Sequence, residues 1–420
     1  MTDLSIVETP EYKNLVTFEL CKKTPIYNWF YYKEGFSPDL VWELLDRFEV
    51  AKGATVLDPF CGTGTSLLAS AQKGYNAIGF DITPLAVFVS NTKLHRGYDL
   101  KLLKEEIDKL SGYKFGDTKL KWPDLGFIEI RKAFSRYARN DLLFFKEKII
   151  EVEDEGVRNF LFLGLLSIVM ESSNVKRDGG VLRVVKKRHL PPVRKLLRNR
   201  LRRMYKDLVK AGEFPDGDNT GEFTGENNAK GFPGGIRAEA RLGDSRNLPL
   251  DKNSVEFCIT SPPYLNWVDY TKIYALEMAL LMDGEEIRRA RSDSLRSYIG
   301  AKEPKDFRVD SDHLNELFEK LEGLPESSKP PAIMRGYFED LFMNLESIYN
   351  SLKPGGKAAI VIGNSCLPNL DINSDLILAQ MAEGIGFEAE GVWSSNTRIC
   401  KFPGMKESRP VRESIVIIKK

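Results

Sequence analysis

The stretch DPFCGTGTSLL, Asp58–Leu68, decides the fold. Before it stands TVL, a short β-branched and apolar run. After it the chain reads ASAQKG, small and polar, a helix that closes on a glycine. The reading is strand, Gly-rich turn, helix. Glycine lets a backbone turn sharply and approach a ligand closely. Gly62 and Gly64 fall at the carboxyl end of the strand, the edge at which open α/β sheets bind ligands. The next apolar run, NAIGFD, ends on Asp81, and PLAVFVSNTKLH continues as a helix. Strand–turn–helix–strand implies a parallel α/β sheet.

The loop suits neither common phosphate site. The dinucleotide fingerprint wants a third glycine where Leu67 stands, which argues against a nucleotide-binding oxidoreductase. A Walker loop needs Gly-Lys-Ser/Thr, and the loop has no lysine. What remains is Asp58 before the loop and Asp81 at the end of the next strand. An acid at that second place is suited to a ribose diol. A ribose and a close backbone contact without pyrophosphate point to an adenosine with a non-phosphate tail.

Far downstream, SVEFCITSPPY ends an apolar strand on Ser261, Pro262, Pro263 and Tyr264. Proline fixes its own φ and lacks an N–H, so Pro-Pro is a poor continuation for a strand. DPFCGTGT followed by TSPPY resembles the class I S-adenosylmethionine-dependent amino-methyltransferases of nucleic acids. The resemblance covers roughly residues 1–97, 237–282 and 336–420. It implies a Rossmann-like sheet of seven strands with a C-terminal β-hairpin, and S-adenosylmethionine as cofactor. It implicates Phe60, Gly62, Gly64 and Thr65, with Asp58, at the methionine end, Asp81 on the ribose, and Ile82 and Asp244 at the adenine. TPIYNWFYYKEGFSP (24–38) looks like the segment that closes over the methionine end in that family. SLKPGGKAAIVI and RESIVIIKK are similar to its fifth and last strands.

An exocyclic base amine is a poor nucleophile, because its lone pair is delocalised into the ring. Acceptors on its two hydrogens raise the electron density on nitrogen. The Ser261 side chain and the Pro262 carbonyl are candidates, as preorganised electrostatics rather than covalent catalysis. Tyr264 is placed to stack on the base, which must leave its helix to reach such a loop. Asn266 and Trp267 are candidates for the base pocket. In the family, Ser rather than Asp at the first place is associated with cytosine N4. No Pro-Cys dipeptide occurs, so the C5 reaction is disfavoured. Cys61 and Cys258 read as packing residues.

Two segments lie outside the resemblance: 98–236, expected to be mostly helical and substrate-recognising, and 283–335, which is charged. Lys176–Lys210 carries fourteen Lys/Arg against two acids, in a chain whose net charge is +1. That excess points to a polyanion-facing surface, with Lys186, Lys187 and Arg188 as contacts on a basic helical stretch. GEFPDGDNTGEFTGENNAKGFPGG (212–235) reads as a long mobile loop. Nucleic acid is the expected partner. A basic helical insertion fits RNA slightly better than DNA, since shape and backbone contacts dominate RNA recognition. The chain also resembles archaeal proteins that modify cytidine N4 in ribosomal RNA, and that target is placed narrowly ahead of a specific DNA site, cytosine N4 or adenine N6; a non-catalytic RNA-binding protein is a distant third.

Composition bounds the remainder. Five scattered cysteines, three histidines and no CxxC exclude the usual metal spacings, so no metal is expected. No apolar run is long enough for a membrane span, and the start of the chain lacks a signal-peptide pattern. A reducing, cytoplasmic setting is expected. Charged residues at 29% with only two glutamines suggest a hot environment. Oligomeric state is not legible.

Overall fold

A computed structural model describes residues 5–114, 116–178, 180–187, 189–213, 232–297, 307, 309, 311–322, 333–367, 370–400, 405 and 407–420. Its strands are β1 (Ile6–Glu8), β2 (Thr55–Asp58), β3 (Asn76–Asp81), β4 (Val175–Asp178), β5 (Val181–Val184), β6 (Ala238–Leu242), β7 (Val255–Thr260), β8 (Leu352–Gly363), β9 (Ser365–Leu367), β10 (Leu370–Ile372), β11 (Glu388–Cys400) and β12 (Arg409–Lys419). The main sheet runs β1-β11-β12-β8-β7-β2-β3-β6. The pairs from β6 through β8 are parallel, and β12 inserts antiparallel between β8 and β11. This is the expected class I methyltransferase sheet with its C-terminal hairpin. It has one strand more than expected, because Ile6–Glu8 pairs parallel with β11 at the edge.

Side chains alternate faces along a strand, and the apolar residues do so here. Val56, Ile259, Ile415 and Ile417 join one hydrophobic cluster. Leu57, Cys258, Val416 and Ile418 join the other. Residues of the first insertion, such as Leu103, Leu142, Leu166 and Leu201, belong to the first cluster. The second insertion divides: Ile287 and Ala290 join the first cluster, while Leu295, Leu314 and Leu317 join the second.

The first insertion is mostly helical, as expected. Its basic part is not one helix. Lys176 and Arg183 sit on the β4–β5 hairpin, an irregular segment follows, and the helix begins only at Val193. β-branched valines at 175, 181 and 184 favour the strand over the helix, and the Pro191-Pro192 pair stops a helix from starting earlier. IEIRKAFSRYARNDLLFFKEKIIEV also divides, into Ile130–Ala133 and Arg136–Ile150, because Ser135 caps the second helix by accepting from the Ala138 N–H. Most of the Gly/Asn-rich stretch 212–235 lies outside the described residues. No helix among the described residues is long and apolar enough to cross a membrane.

Candidate active site

A cavity of about 390 Å3 opens at the carboxyl ends of four neighbouring strands. Phe60 and Gly62 follow β2, Asp81 and Ile82 close β3, Asp244 follows β6, and Ser261–Tyr264 follow β7. β2 lies between β3 and β7, so the strand order reverses there, which is where a doubly wound sheet leaves a crevice.

The glycine loop has strict steric needs. Gly64 holds φ +78°, and a Cβ there would stand 3.1 Å from the Ser90 Cα. Neither the conformation nor the space tolerates a side chain. The Ser90 hydroxyl donates to the Gly62 carbonyl at 2.8 Å. Tyr32 covers the outer side of Gly62 and stacks on Tyr274 with centroids 4.7 Å apart. The segment 24–38 thus closes one side of the cavity, through Tyr32–Gly35.

Asp58 differs from its expected place. It is buried behind the wall, where it accepts from Ser66 Oγ, Thr260 Oγ1 (2.6 Å) and the Phe60 N–H (3.0 Å). It joins the glycine loop to the strand end that carries Ser261, and burial pushes its pKa up to about 6. Gly64 and Thr65 also stand behind the wall, not on it. Asp81 is on the wall. It accepts from the Gly62 N–H (3.1 Å) and from the Thr83 N–H and hydroxyl (2.8 and 2.6 Å), and burial pushes it up to about 6.

Asp244 is gripped by Arg246, whose Nε and Nη2 reach its carboxylate at 2.7–3.0 Å. Arg246 continues to the fully buried Asp340 at 3.1 Å and to the Asp293 carbonyl at 2.8 Å. Arg296 donates to Asp340 from its backbone (2.8 Å) and guanidinium (2.6 Å). This network holds Asp293–Ser297, part of the second charged segment, against the cavity. Nothing in the sequence marked that segment as a wall.

At the other end, Ser261 Oγ lies 3.4 Å from the Tyr264 hydroxyl, which donates to Glu413 at 3.2 Å. The Pro263 carbonyl is taken by the Tyr337 hydroxyl (2.9 Å), leaving that of Pro262 as the backbone acceptor considered above. The Arg398 guanidinium lies over the Tyr264 ring, 4.7 Å from its centroid. Asn266 lines the cavity and donates to the Tyr270 hydroxyl at 3.2 Å. Trp267 does not line it; the residue takes φ +64° and packs against the second core cluster. Lys186 and Lys187 are also off the cavity: Lys186 is exposed and Lys187 Nζ donates to the Met170 carbonyl at 3.3 Å. Arg188 lies outside the described residues. Cys61 is buried against Gly79, where a Cβ would approach it to 2.6 Å, which fits a packing role. Sequence reasoning missed Glu34, Asn396, Arg398 and Glu413. The only available signal for Glu413 was an acid beside the apolar run SIVII.

The wall fits an adenosine with a cationic amino-acid tail. Phe60 and Ile82 offer apolar faces, and Asp81 offers carboxylate oxygens to a diol. Glu34 Oε1 is buried without a hydrogen bond, Lys33 Nζ standing 3.7 Å away, which suits an incoming ammonium. No cluster able to hold a metal ion occurs among the described residues.

No family model matches the chain. The Type II methyltransferase M.BsoBI of Geobacillus stearothermophilus is 29% identical over 455 aligned positions, spanning 94% of this chain and 85% of that protein. Type II methyltransferase M.AvaI of a Nostoc species is 27% identical, spanning 90% and 83%. A solved SAM-dependent methyltransferase from Methanosarcina mazei covers 90% of this chain and 96% of its own, at 9% identity and a TM-score of 0.31, too distant to add to the argument. With methyltransferase relatives along nearly the whole chain, and this cavity on this sheet, the cofactor is S-adenosylmethionine.

Proposed function

We propose that the chain methylates the N4 amino group of cytosine at specific sites in DNA. One observation carries the chemistry: Ser261–Tyr264 open into the same cavity as Gly62 and Asp81. Methyl donor and target base therefore share one chamber. The relatives, Type II methyltransferases aligned over 90% or more of this chain, support DNA as the polymer over the narrow preference for RNA drawn from the basic segment.

Bound in the cavity, S-adenosylmethionine supplies an electrophilic methyl on a sulfonium. Asp81 holds the ribose hydroxyls, Asp244 meets the adenine amine, and Glu34 pairs with the ammonium of the tail. Ser261 Oγ and the Pro262 carbonyl accept from the two amino hydrogens of the base and turn the nitrogen lone pair towards the methyl. Tyr264, with Arg398 over one face of its ring, leaves the other face for the base. A base stacked in its duplex does not reach these groups, so it must be swung out. Lys176, Lys186 and the basic helix from Val193 contact phosphates on the way in.

The test is direct. The purified chain is given methyl-labelled S-adenosylmethionine with either genomic DNA or ribosomal RNA, and the nucleosides are separated by mass spectrometry. N4-methylcytosine in the DNA is expected. N6-methyladenine would overturn the choice of base, and label in RNA alone would restore the earlier ordering of polymers.

A further inference from the structure

We propose that Glu413 acts through Tyr264 and Ser261 as the terminus of a hydrogen-bond chain that polarises the target amine and takes up the proton it releases. The proposal rests on the reading of Ser261–Tyr264 as the base-facing motif. It concerns a residue from the far end of the sequence, which neither the motif nor the resemblance singled out.

The direction of the chain follows from donor and acceptor inventories. A carboxylate can only accept. Glu413 is 5% exposed, so its oxygens must find donors within the protein. Asn396 Nδ2 donates to Oε2 at 2.9 Å. Arg398 Nε stands 3.6 Å from Oε1, and the Tyr264 hydroxyl donates to that same oxygen at 3.2 Å. With its proton committed, the Tyr264 oxygen is an acceptor towards Ser261, 3.4 Å away. Ser261 then points its own proton at Tyr264 and keeps its lone pairs towards the cavity. A serine held this way is an acceptor for an amine hydrogen, which is what activation of the base nitrogen requires. Without the carboxylate, either hydroxyl is free to reverse, and Ser261 is free to present a proton instead.

The packing around Tyr264 keeps the chain in register. A Cβ on Gly363 would stand 2.7 Å from Tyr264 Cδ2, so the Cδ2–Cε2 edge of the ring packs close to the β8 backbone. Arg398 covers the ring from β11, and Glu413 anchors its hydroxyl from β12. Ser261, Tyr264, Asn396, Arg398 and Glu413 all line the cavity.

The step balances. The sulfur–methyl bond breaks as the nitrogen–methyl bond forms, and the sulfonium leaves as a neutral thioether. The nitrogen gives a proton to Ser261 Oγ, Ser261 gives its own to the Tyr264 oxygen, and Tyr264 gives its own to Glu413. The carboxylate ends as a neutral acid, so positive charge is lost at sulfur and negative charge at Glu413 together. After product departs, Glu413 returns the proton to solvent.

Three single variants of the full chain and one double variant test this on sheared genomic DNA, with single-turnover rates measured beside S-adenosylmethionine affinity by calorimetry. Ser261→Ala first checks the underlying reading, since an unchanged rate there sinks the motif assignment itself. Tyr264→Phe keeps the ring and removes the relay; its rate should fall roughly 10- to 100-fold with cofactor affinity within about twofold. Glu413→Gln keeps the shape, and should slow the reaction by roughly 10-fold. The double variant should be no slower than Tyr264→Phe alone, because both act on one chain. In ζ-13C-tyrosine-labelled protein, the Tyr264 resonance should shift in Glu413→Gln at an unchanged unfolding temperature. A full rate in Tyr264→Phe, multiplying losses in the double variant, or an unmoved resonance overturns the relay while a dead Ser261→Ala leaves the motif assignment standing.

Discussion

The two ends of the cavity are built differently. The end proposed to face the ribose is largely one continuous stretch, Asp58 to Thr83, whose polar groups bind one another: Asp58 with Ser66 and Phe60, Asp81 with Gly62 and Thr83. The end proposed to face the base is gathered from Ser261–Tyr270 and from Asn396, Arg398 and Glu413, more than a hundred residues further on. A local site can be set by backbone geometry, glycine and turn. A dispersed site depends on the sheet bringing strands together, and so inherits its accuracy from the fold.

That contrast predicts a clean separation of effects, and its failure would merge the two ends. Ser261→Ala should lower turnover by roughly 10²- to 10³-fold, as loss of a preorganised group does, with cofactor affinity unchanged. Asp81→Asn should do the reverse, weakening cofactor binding by roughly 10- to 100-fold, as expected for a charge-assisted hydrogen bond. Calorimetry and single-turnover kinetics on the same preparations decide. If either variant moves both quantities equally, the ends are one unit.

Arg246 tests a link between the cofactor wall and the second charged segment. Replacing it by Met strips Asp244 of its clamp and removes one partner of buried Asp340. A loss of about 3 kcal/mol of unfolding free energy is expected, read by denaturant titration, together with weaker cofactor binding. Weaker binding without lost stability would mean that the segment stands independently of Asp340.

The pH response sharpens the ribose-facing end. Burial raises Asp81 to about 6, and only its ionised form can accept from both hydroxyls of a diol. Cofactor affinity should therefore rise as pH increases through about 6, and the rise should shrink in Asp81→Asn, the remainder belonging to Glu34, whose carboxyl burial also pushes up. Stability should move the opposite way. Asp58 is also raised to about 6, so its protonated form stabilises the fold below about pH 4, and that contribution is lost as pH climbs through about 6. Asp58→Asn should flatten this decline in a series of thermal melts. The smallest effect belongs to Lys186→Glu, which should weaken DNA binding a few-fold regardless of sequence and reduce the salt slope by about 1.

That Gly62, Asp81 and Ser261–Tyr264 would meet around one cavity was legible because the signals are short-range: a glycine turn, an acid at a strand end and Pro-Pro after an apolar strand. Two placements failed in the same way. Asp58 and Trp267 are the right residue types beside the right motifs, but burial depends on what the next layer supplies. Asp58 is enclosed by Thr260, about two hundred positions away. Glu413 and the Asp293–Ser297 wall could not be found locally, because no local pattern separates an acid aimed at a cavity from one aimed at solvent. The basic hairpin was misread as helix because positive charge dominated the segment and hid its valines.

Asp58 also sets a length. Neighbouring strands stand about 4.8 Å apart, and Asp58 fastens the loop after β2 to Thr260, the last residue of β7 before Ser261. Methyl transfer needs its reacting atoms about 3–3.5 Å apart in line. On the proposed reading, the gap between donor and acceptor is gauged by sheet spacing, with one carboxylate as the ruler, and loops and insertions can diversify which sites are reached while the reaction distance stays fixed.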